Sequence, residues 1–407
     1  LSSLPLPLRL LQFVPESLPT FRADVQTLFG IYLPGQGIVC DMVGMAGSAD
    51  IDQAAFASVR RPRFHVSRLK REMAFLWLCV RTLFSVRKAD CDLIQVRDMV
   101  SISLLGVIVA RLKGIPFAYW MSFLMSEGRI ERATEQIRAG AGLRSRLVLL
   151  KGCIEKALLY KFILPQSRHI FVQSEAMRMF LIERGIAAGK ISAVPMGVDM
   201  AFQPDEVVRQ RLADWSDVPL IAYLGTLDKA RDIPRLIDTL YLVRHAQPQA
   251  CLLLIGDSPN RVDTEQLRAY CARLGLQEHV RITGWLPKAQ AWSLLAAADV
   301  AVSYIPRGQL YDVSSPTKLL EYLALGLPCV GNDNPDQEAV LTRSAAGWLS
   351  GSSVEALAAA LTEVLADPAA AREKASRGPD FIRSVRSYQI LAEQLALAYR
   401  QFLPSRS

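Results

Sequence analysis

Short apolar, β-branched runs at 8–14, 37–43, 92–96, 116–120 and 170–173 alternate with longer stretches of helical periodicity. After a polar, linker-like segment at 202–218 the cycle restarts, with runs at 220–224, 250–255, 280–283, 300–303 and 329–331 and helical spacing over 234–245 and 264–274. Such alternation predicts parallel sheets covered by helices. A last helical stretch at 388–402 carries Leu391, Leu395 and Tyr399 on one face and no strand follows it, so it is expected to cross back onto the first half. The expected fold is α/β: two tandem Rossmann-like, doubly wound domains facing a central cleft, over 8–205 and 206–382, with a returning helix at 383–403. In such sheets ligands lie outside the carboxyl ends of the strands, where loops lead into helices.

Composition narrows the setting. The 407 residues suit two ordinary domains. Although 51% are hydrophobic, no uncharged run reaches a bilayer-spanning length: 73–84 is broken by Arg81, and 102–110 stops at Arg111. Residues 1–11 lack the charged and small-residue features of a cleavable signal and read as a lead-in to the first strand. Seven scattered cysteines form no CxxC pair, which fits a reducing cytoplasm. The net charge of +8 implies an anionic partner. Arg60, Arg61, Arg63, Arg68, Lys70 and Arg71 precede the apolar stretch Phe75-Leu76-Trp77-Leu78, and Arg81, Arg87 and Lys88 follow it. A helix of that kind fits an anionic membrane surface and fits equally a helix packed on its own domain with a solvated basic edge. No nucleic-acid recognition module accompanies the charge, so no nucleic acid is expected.

The richest strand-end loop runs from Asp312 to Pro328. Ser315 suits a helix N-cap and Pro316 the first turn, which would aim free backbone N–H groups at an anion beside Lys318. Glu321, three residues on, shares that helix face, where a carboxylate can accept hydrogen bonds from ribose hydroxyls. A capped amphipathic helix with a surface Lys–Glu pair accounts for the same spacing.

The stretch Ser315-Pro316-Thr317-Lys318-Leu319-Leu320-Glu321-Tyr322, continued by Ala324, Gly326 and Pro328, resembles the donor-binding signature of the retaining group 1 glycosyltransferases of family 4. Tyr223 to Arg231, Leu254-Ile255-Gly256-Asp257, Val280 to Pro287 and Ala298-Asp299-Val300 match in the same order. Val172-Gln173-Ser174-Glu175 and Pro195-Met196-Gly197-Val198-Asp199 resemble the closing strands of the family's first half. The resemblance implies the GT-B architecture and a nucleotide diphosphate sugar as donor substrate, with no cofactor and no metal. It implies that Glu321 holds the ribose, that Gly284, Trp285 and Leu286 frame the base largely through backbone groups, and that Arg231 or Lys229, with Lys318, neutralises the diphosphate. Gly225, Thr226, Gly256, Ser314, Ser315, Pro316, Thr317 and Leu319 complete the expected donor pocket, with Arg231, Lys318 and Glu321 as its catalytic groups. Two positions depart from the family. A sugar-contacting glutamate is replaced by Val313, with Asp312 beside it as a substitute, and a first-half histidine is missing where the chain reads Trp120-Met121-Ser122-Phe123.

In the first half, Arg22, Arg97, Ser122 and Glu127 are candidate sugar or acceptor contacts at strand ends, and surface salt bridging accounts for the charged ones as well. Two D-x-D matches, Asp50-Ile51-Asp52 and Asp90-Cys91-Asp92, are short enough to arise by chance. No G-x-G-x-x-G follows a strand and there is no P-loop or nucleophile elbow, which excludes the usual nicotinamide, NTPase and hydrolase readings. The expected activity is transfer of a sugar to a lipid-linked, surface-polysaccharide or other glycan acceptor, by a cytoplasmic protein peripheral on the inner face of the membrane. An epimerase-like enzyme of the same architecture and an inactive nucleotide-sugar-binding or scaffold protein are the alternatives.

Overall fold

The computed structural model describes residues 7–20, 22–47, 56–64, 67–202 and 204–403. They form two compact units, one of residues up to Met196 together with the chain from Tyr388 onward, the other Gly197–Ser387. Asp50, Asp52 and His65 lie outside the described residues.

The first unit holds a parallel sheet of β1 (Leu8–Leu18), β2 (Ile38–Ala46), β3 (Ser58–Arg60), β4 (Leu93–Arg97), β5 (Phe117–Met121), β6 (His169–Val172) and β7 (Ile191–Ala193), in the order β3-β2-β1-β4-β5-β6-β7. The order reverses between β1 and β4, so the two strands' carboxyl ends form a crevice where the chain leaves in opposite directions. Four helices matter below: α1 (Arg68–Ser85), α2 (Val100–Lys113), α3 (Met125–Arg138) and α4 (Leu143–Leu158). Among the described residues no helix is long and apolar enough to cross a membrane.

The second unit repeats the plan with β8 (Leu220–Leu224), β9 (Cys251–Ile255), β10 (Val280–Ile282), β11 (Val300–Ser303), β12 (Cys329–Asn332) and β13 (Trp348–Ser350), ordered β10-β9-β8-β11-β12-β13. Its reversal falls between β8 and β11. Helices α5 (Ile233–Ala246), α6 (Lys288–Ala296) and α7 (Lys318–Ala324) start on the carboxyl side of the strands they follow. Near-continuous apolar strands such as Cys251–Ile255 are what a sheet covered on both faces requires.

The final helix, α8 (Tyr388–Phe402), belongs to the first unit. It inserts Leu391, Leu395 and Tyr399 into the core around Phe29, Trp120 and Phe171, and the Tyr399 hydroxyl donates to Gln95 Oε1 at 2.8 Å. The segment expected to be a loose linker is instead packed. Trp215 is buried, Phe202 meets Trp292 edge-on, and Arg211 bonds the carbonyls of Trp215 and Val218 and the carboxylate of Asp299. Among the segment's described polar residues, Arg211 is the anchor. All seven cysteines are unpaired, six of them buried, with Cys153 exposed on α4.

Candidate donor and acceptor sites

The loop after β8 and the one after β9 touch through glycine. Gly225 and Gly256 have φ of +155° and +147°, and a Cβ on Gly256 would overlap the Gly225 carbonyl oxygen. The Gly225 N–H donates to Ile255 O at 3.0 Å and Leu227 N–H to Asp257 O at 3.0 Å, so the two loops form one backbone floor. Gly256 N–H also donates to Thr283 Oγ1 at 3.2 Å, which draws in the loop carrying Trp285 and Leu286. The Lys318 side chain lies across Gly225, where any Cβ would strike its Cε, and its Nζ sits 5.3 Å from the centre of the Tyr223 ring.

The side chains of Lys318 and Glu321 make no hydrogen bond or ion pair with any described residue. Burial, then the nearby Arg231 charge, lowers the Lys318 ammonium to about 8, against which Glu321 acts weakly. Burial raises the Glu321 carboxyl to about 7, although Lys288 and Lys318 pull it down. Two shielded groups of opposite charge, unpaired and both perturbed toward neutral pH, cost stability and are characteristic of a binding site. Arg231 follows on a helical turn, Lys229–Arg231, with its Nε 3.3 Å from Thr226 Oγ1 and 3.9 Å from Asp228 Oδ1. Gly225, Thr226, Arg231, Gly256, Lys318 and Glu321 therefore gather at the β8/β11 switch point.

Several expectations are corrected. Ser315 is not the cap of α7: Thr317 holds that position without a side-chain cap bond, and the helix runs only Lys318–Ala324. The buried Asp336–Arg386 pair takes the Ser315 hydroxyl instead, at 2.7 Å from Asp336 Oδ2, and Pro316 stands before the first turn. So short a helix contributes little of its own field, and the positive charge at this point comes from the side chains of Lys318 and Arg231. Ser314 donates back to Tyr311 O at 2.6 Å, and the Leu319 side chain is in the core. Asp312 is held by two of the three guanidinium nitrogens of Arg307, at 2.7 and 3.3 Å, and so is not a free replacement for the missing glutamate. Trp285, expected to act largely through its backbone, is 73% exposed.

Two residues of the site were not singled out from sequence. The Tyr322 hydroxyl accepts from Leu224 N–H at 3.0 Å and donates to Val302 O at 3.4 Å, bolting α7 to the ends of both switch-point strands. Lys288, at the start of α6, lies over Trp292 at 4.3 Å and contributes to the field at Glu321. The tyrosine that follows the glutamate in the signature was the available signal for the first.

At the β1/β4 switch point of the first unit, Arg97 is fully buried between Asp24 (2.6 Å) and Glu16 (3.2 Å), and Arg22 chelates Asp24 at 3.1 Å through two nitrogens. Burial alone would raise the Asp24 carboxyl, but Arg97 and Arg22 outweigh it and hold it below the usual range. Asp98, in the left-handed region at φ +54°, accepts from Ser122 N–H at 2.8 Å and from its hydroxyl, and burial raises its carboxyl. Glu127 is buried on α3 with Lys156 at 3.6 Å, and its charge together with burial raises the Tyr160 phenol. Arg22, Arg97 and Ser122 thus share one network, not three separate surface positions, with Glu127 near its edge. Asp90 and Asp92 are structural, the first bonded to Arg87 and the second accepting from Arg9 N–H.

A family model described as Glycosyltransferase Family 4 matches residues 29–202, and one described as Glycosyl transferases group 1 matches 218–367. The chain belongs to the group 1 glycosyltransferases of family 4. A GDP-mannose-dependent alpha-(1-6)-phosphatidylinositol monomannoside mannosyltransferase from Mycolicibacterium smegmatis is 32% identical over 182 residues, which is 43% of this chain and 47% of that protein. A GDP-mannose-dependent mannosyltransferase from Corynebacterium glutamicum, acting on the monoacylated form, is 26% identical over 50% of this chain and 54% of its own. The chain thus spans about half the length of the curated relatives it matches. Among solved structures, a Rickettsia africae glycosyltransferase aligns with TM-score 0.72 at 13% identity, covering 97% of this chain and 98% of that one. Anabaena HepE with UDP and glucose aligns with TM-score 0.67 at 16% identity, covering 97% and 100%. These likenesses give the fold, GT-B.

Proposed function

We propose that the chain transfers a sugar from a nucleotide diphosphate sugar, retaining its anomeric configuration and using no metal, to a lipid-linked or polysaccharide acceptor. The observation that carries this reading is the unpaired Lys318 and Glu321 beside Arg231 at the β8/β11 switch point, a cation pair for a diphosphate next to a carboxylate for a ribose. Negative charge builds on the departing diphosphate as the glycosidic bond breaks, and cations fixed there stabilise that charge more than the ground state. The leaving phosphate then takes the acceptor's proton, so no protein nucleophile is needed. The network of Arg22, Arg97, Asp98 and Ser122, with Glu127, is the acceptor end of the reaction.

The mycobacterial and corynebacterial relatives support GDP-mannose as donor and a phosphatidylinositol glycolipid as acceptor. That acceptor requires peripheral attachment to a membrane. Thermal shifts with GDP, UDP, ADP and CDP, followed by transfer from GDP-[14C]mannose to phosphatidylinositol mannoside in vesicles, test the reading. GDP is expected to raise the melting temperature in the wild type and not in Glu321→Ala; equal shifts in both proteins would place the nucleotide elsewhere. The capture of Asp312 by Arg307 favours one rival, a nucleotide-sugar binder without catalysis. Turnover of any donor removes it.

A further inference from the structure

On α4 the four apolar residues Leu143, Leu147, Leu150 and Ile154 are between 51 and 72% exposed. At about 100° per residue they fall within an arc of about 60°. Arg144 and Lys151 flank this arc on one side and Arg146 on the other, while Ser145 and Gly152 are buried at its back. The helix's single acidic residue, Glu155, is held by Arg129. An apolar stripe bordered by long basic side chains suits a membrane interface, where the stripe enters the acyl boundary and the stems snorkel toward lipid phosphates. A monomeric soluble protein rarely leaves such a patch uncovered.

The neighbouring helices extend the patch. α2 packs against α4 and exposes Ile108 and Leu112, the latter 80% exposed. Between them runs an open, mainly apolar groove of about 380 Å³ whose walls are Leu104, Leu147, Leu150 and Ile154, with Lys151 and Glu155 among its polar lining. α1 packs on the other side of α2 and exposes Leu69, Met73, Leu76, Trp77 and Phe84, with Arg81 over the Trp77 ring at 5.2 Å. Arg63, Lys70, Lys88 and Arg111 lie exposed along the same helices and their approaches.

We propose that α4 and α2, together with α1, form one continuous docking face for an anionic lipid bilayer, with α4 lying in the interface. The charge pattern decides the occupant: a protein partner buries an apolar stripe without needing cations along both borders, whereas a phosphate-rich surface rewards them. The face belongs to the same unit as Glu127, whose neighbour Lys156 is on α4, so docking presents the β1/β4 polar network to acceptors anchored in that bilayer. This inference rests on the lipid-linked acceptor reading, and its test separates the two.

The test is co-sedimentation with vesicles of phosphatidylcholine alone and of equal parts phosphatidylcholine and phosphatidylglycerol. The wild type is expected to bind the anionic vesicles and release in high salt. Leu147→Gln/Leu150→Gln/Ile154→Gln should weaken that binding about tenfold or more. Arg144→Gln/Arg146→Gln/Lys151→Gln should lose about fivefold per residue on anionic vesicles, with little change on neutral ones. Both sets of changes are at exposed positions, and unchanged circular-dichroism melting curves establish that the variants fold. Undiminished vesicle binding by both variants overturns the inference, as does a lipid-free dimer that the leucine variant dissociates. Nucleotide thermal shifts on the same proteins keep the questions apart. Intact shifts with unaltered vesicle binding sink the docking face alone, and absent shifts with the expected vesicle losses sink the transferase reading alone.

Discussion

Glu321→Gln should stabilise the unliganded protein while weakening its affinity for nucleotide. In the folded chain burial raises the Glu321 carboxyl from 4.5 to about 7, so the native state resists its ionisation and the unfolded state does not. Below about pH 4.5 both states are protonated and the penalty vanishes; it grows as pH rises and is complete above about 7. The gap between 4.5 and about 7, at about 1.36 kcal/mol per pH unit, corresponds to roughly 3 kcal/mol as an upper figure. Glutamine removes it. For a unit of this size that is roughly 5–10 °C in melting temperature at pH 8, shrinking toward zero near pH 4.5. The cost in function runs the other way. A carboxylate accepting ribose hydroxyls is worth about 1.5–3 kcal/mol per charged hydrogen bond, so nucleoside diphosphate affinity should fall on the order of tenfold to a hundredfold. Differential scanning fluorimetry from pH 4.5 to 8.5, with and without GDP, measures both effects. A variant no more stable than wild type at pH 8, or one that binds GDP normally, refutes the reasoning.

Three other outcomes follow from the same geometry. Wild-type nucleotide affinity should strengthen as pH rises through about 7, where Glu321 ionises, and weaken above about 8, where Lys318 loses its proton, with Lys318→Gln abolishing the alkaline limb in calorimetric titrations. Tyr322→Phe leaves the Leu224 N–H and the Val302 carbonyl without their hydroxyl partner and should cost about 1–3 kcal/mol in urea unfolding. Gly256→Ala, which forces a methyl group into the Gly225 carbonyl at a φ of +147°, should lower the melting temperature and nucleotide affinity together; a normal affinity would show that the two-glycine floor is not part of the pocket.

The longer strands were legible because four or more consecutive apolar residues between turn signals suit a strand covered on both faces, as at Cys251–Ile255 and Leu220–Leu224. β3, β7 and β13 were not, since three residues carry no periodicity of their own and their pairing is decided by the strand beside them; β10, equally short, was found through the motif Val280 to Pro287 that contains it. Lys318 and Glu321 could be found because their relation is local, three residues along one helix. The fate of Ser315 could not, because its partners Asp336 and Arg386 stand 21 and 71 residues away. Helix α4 illustrates a different limit: an apolar arc reads the same in sequence whether a protein core covers it or nothing does.

The distribution of thiols has a practical consequence. Burial drives Cys79 and Cys329 up to about 12 and Cys91 and Cys271 up to about 11, and it raises Cys40 and Cys251 as well, so all six are inert to maleimides near neutral pH. Cys153 alone is open to solvent. The unaltered polypeptide can therefore carry a single polarity-sensitive fluorophore next to Ile154, and its emission colour would report in real time whether that spot meets water or hydrocarbon.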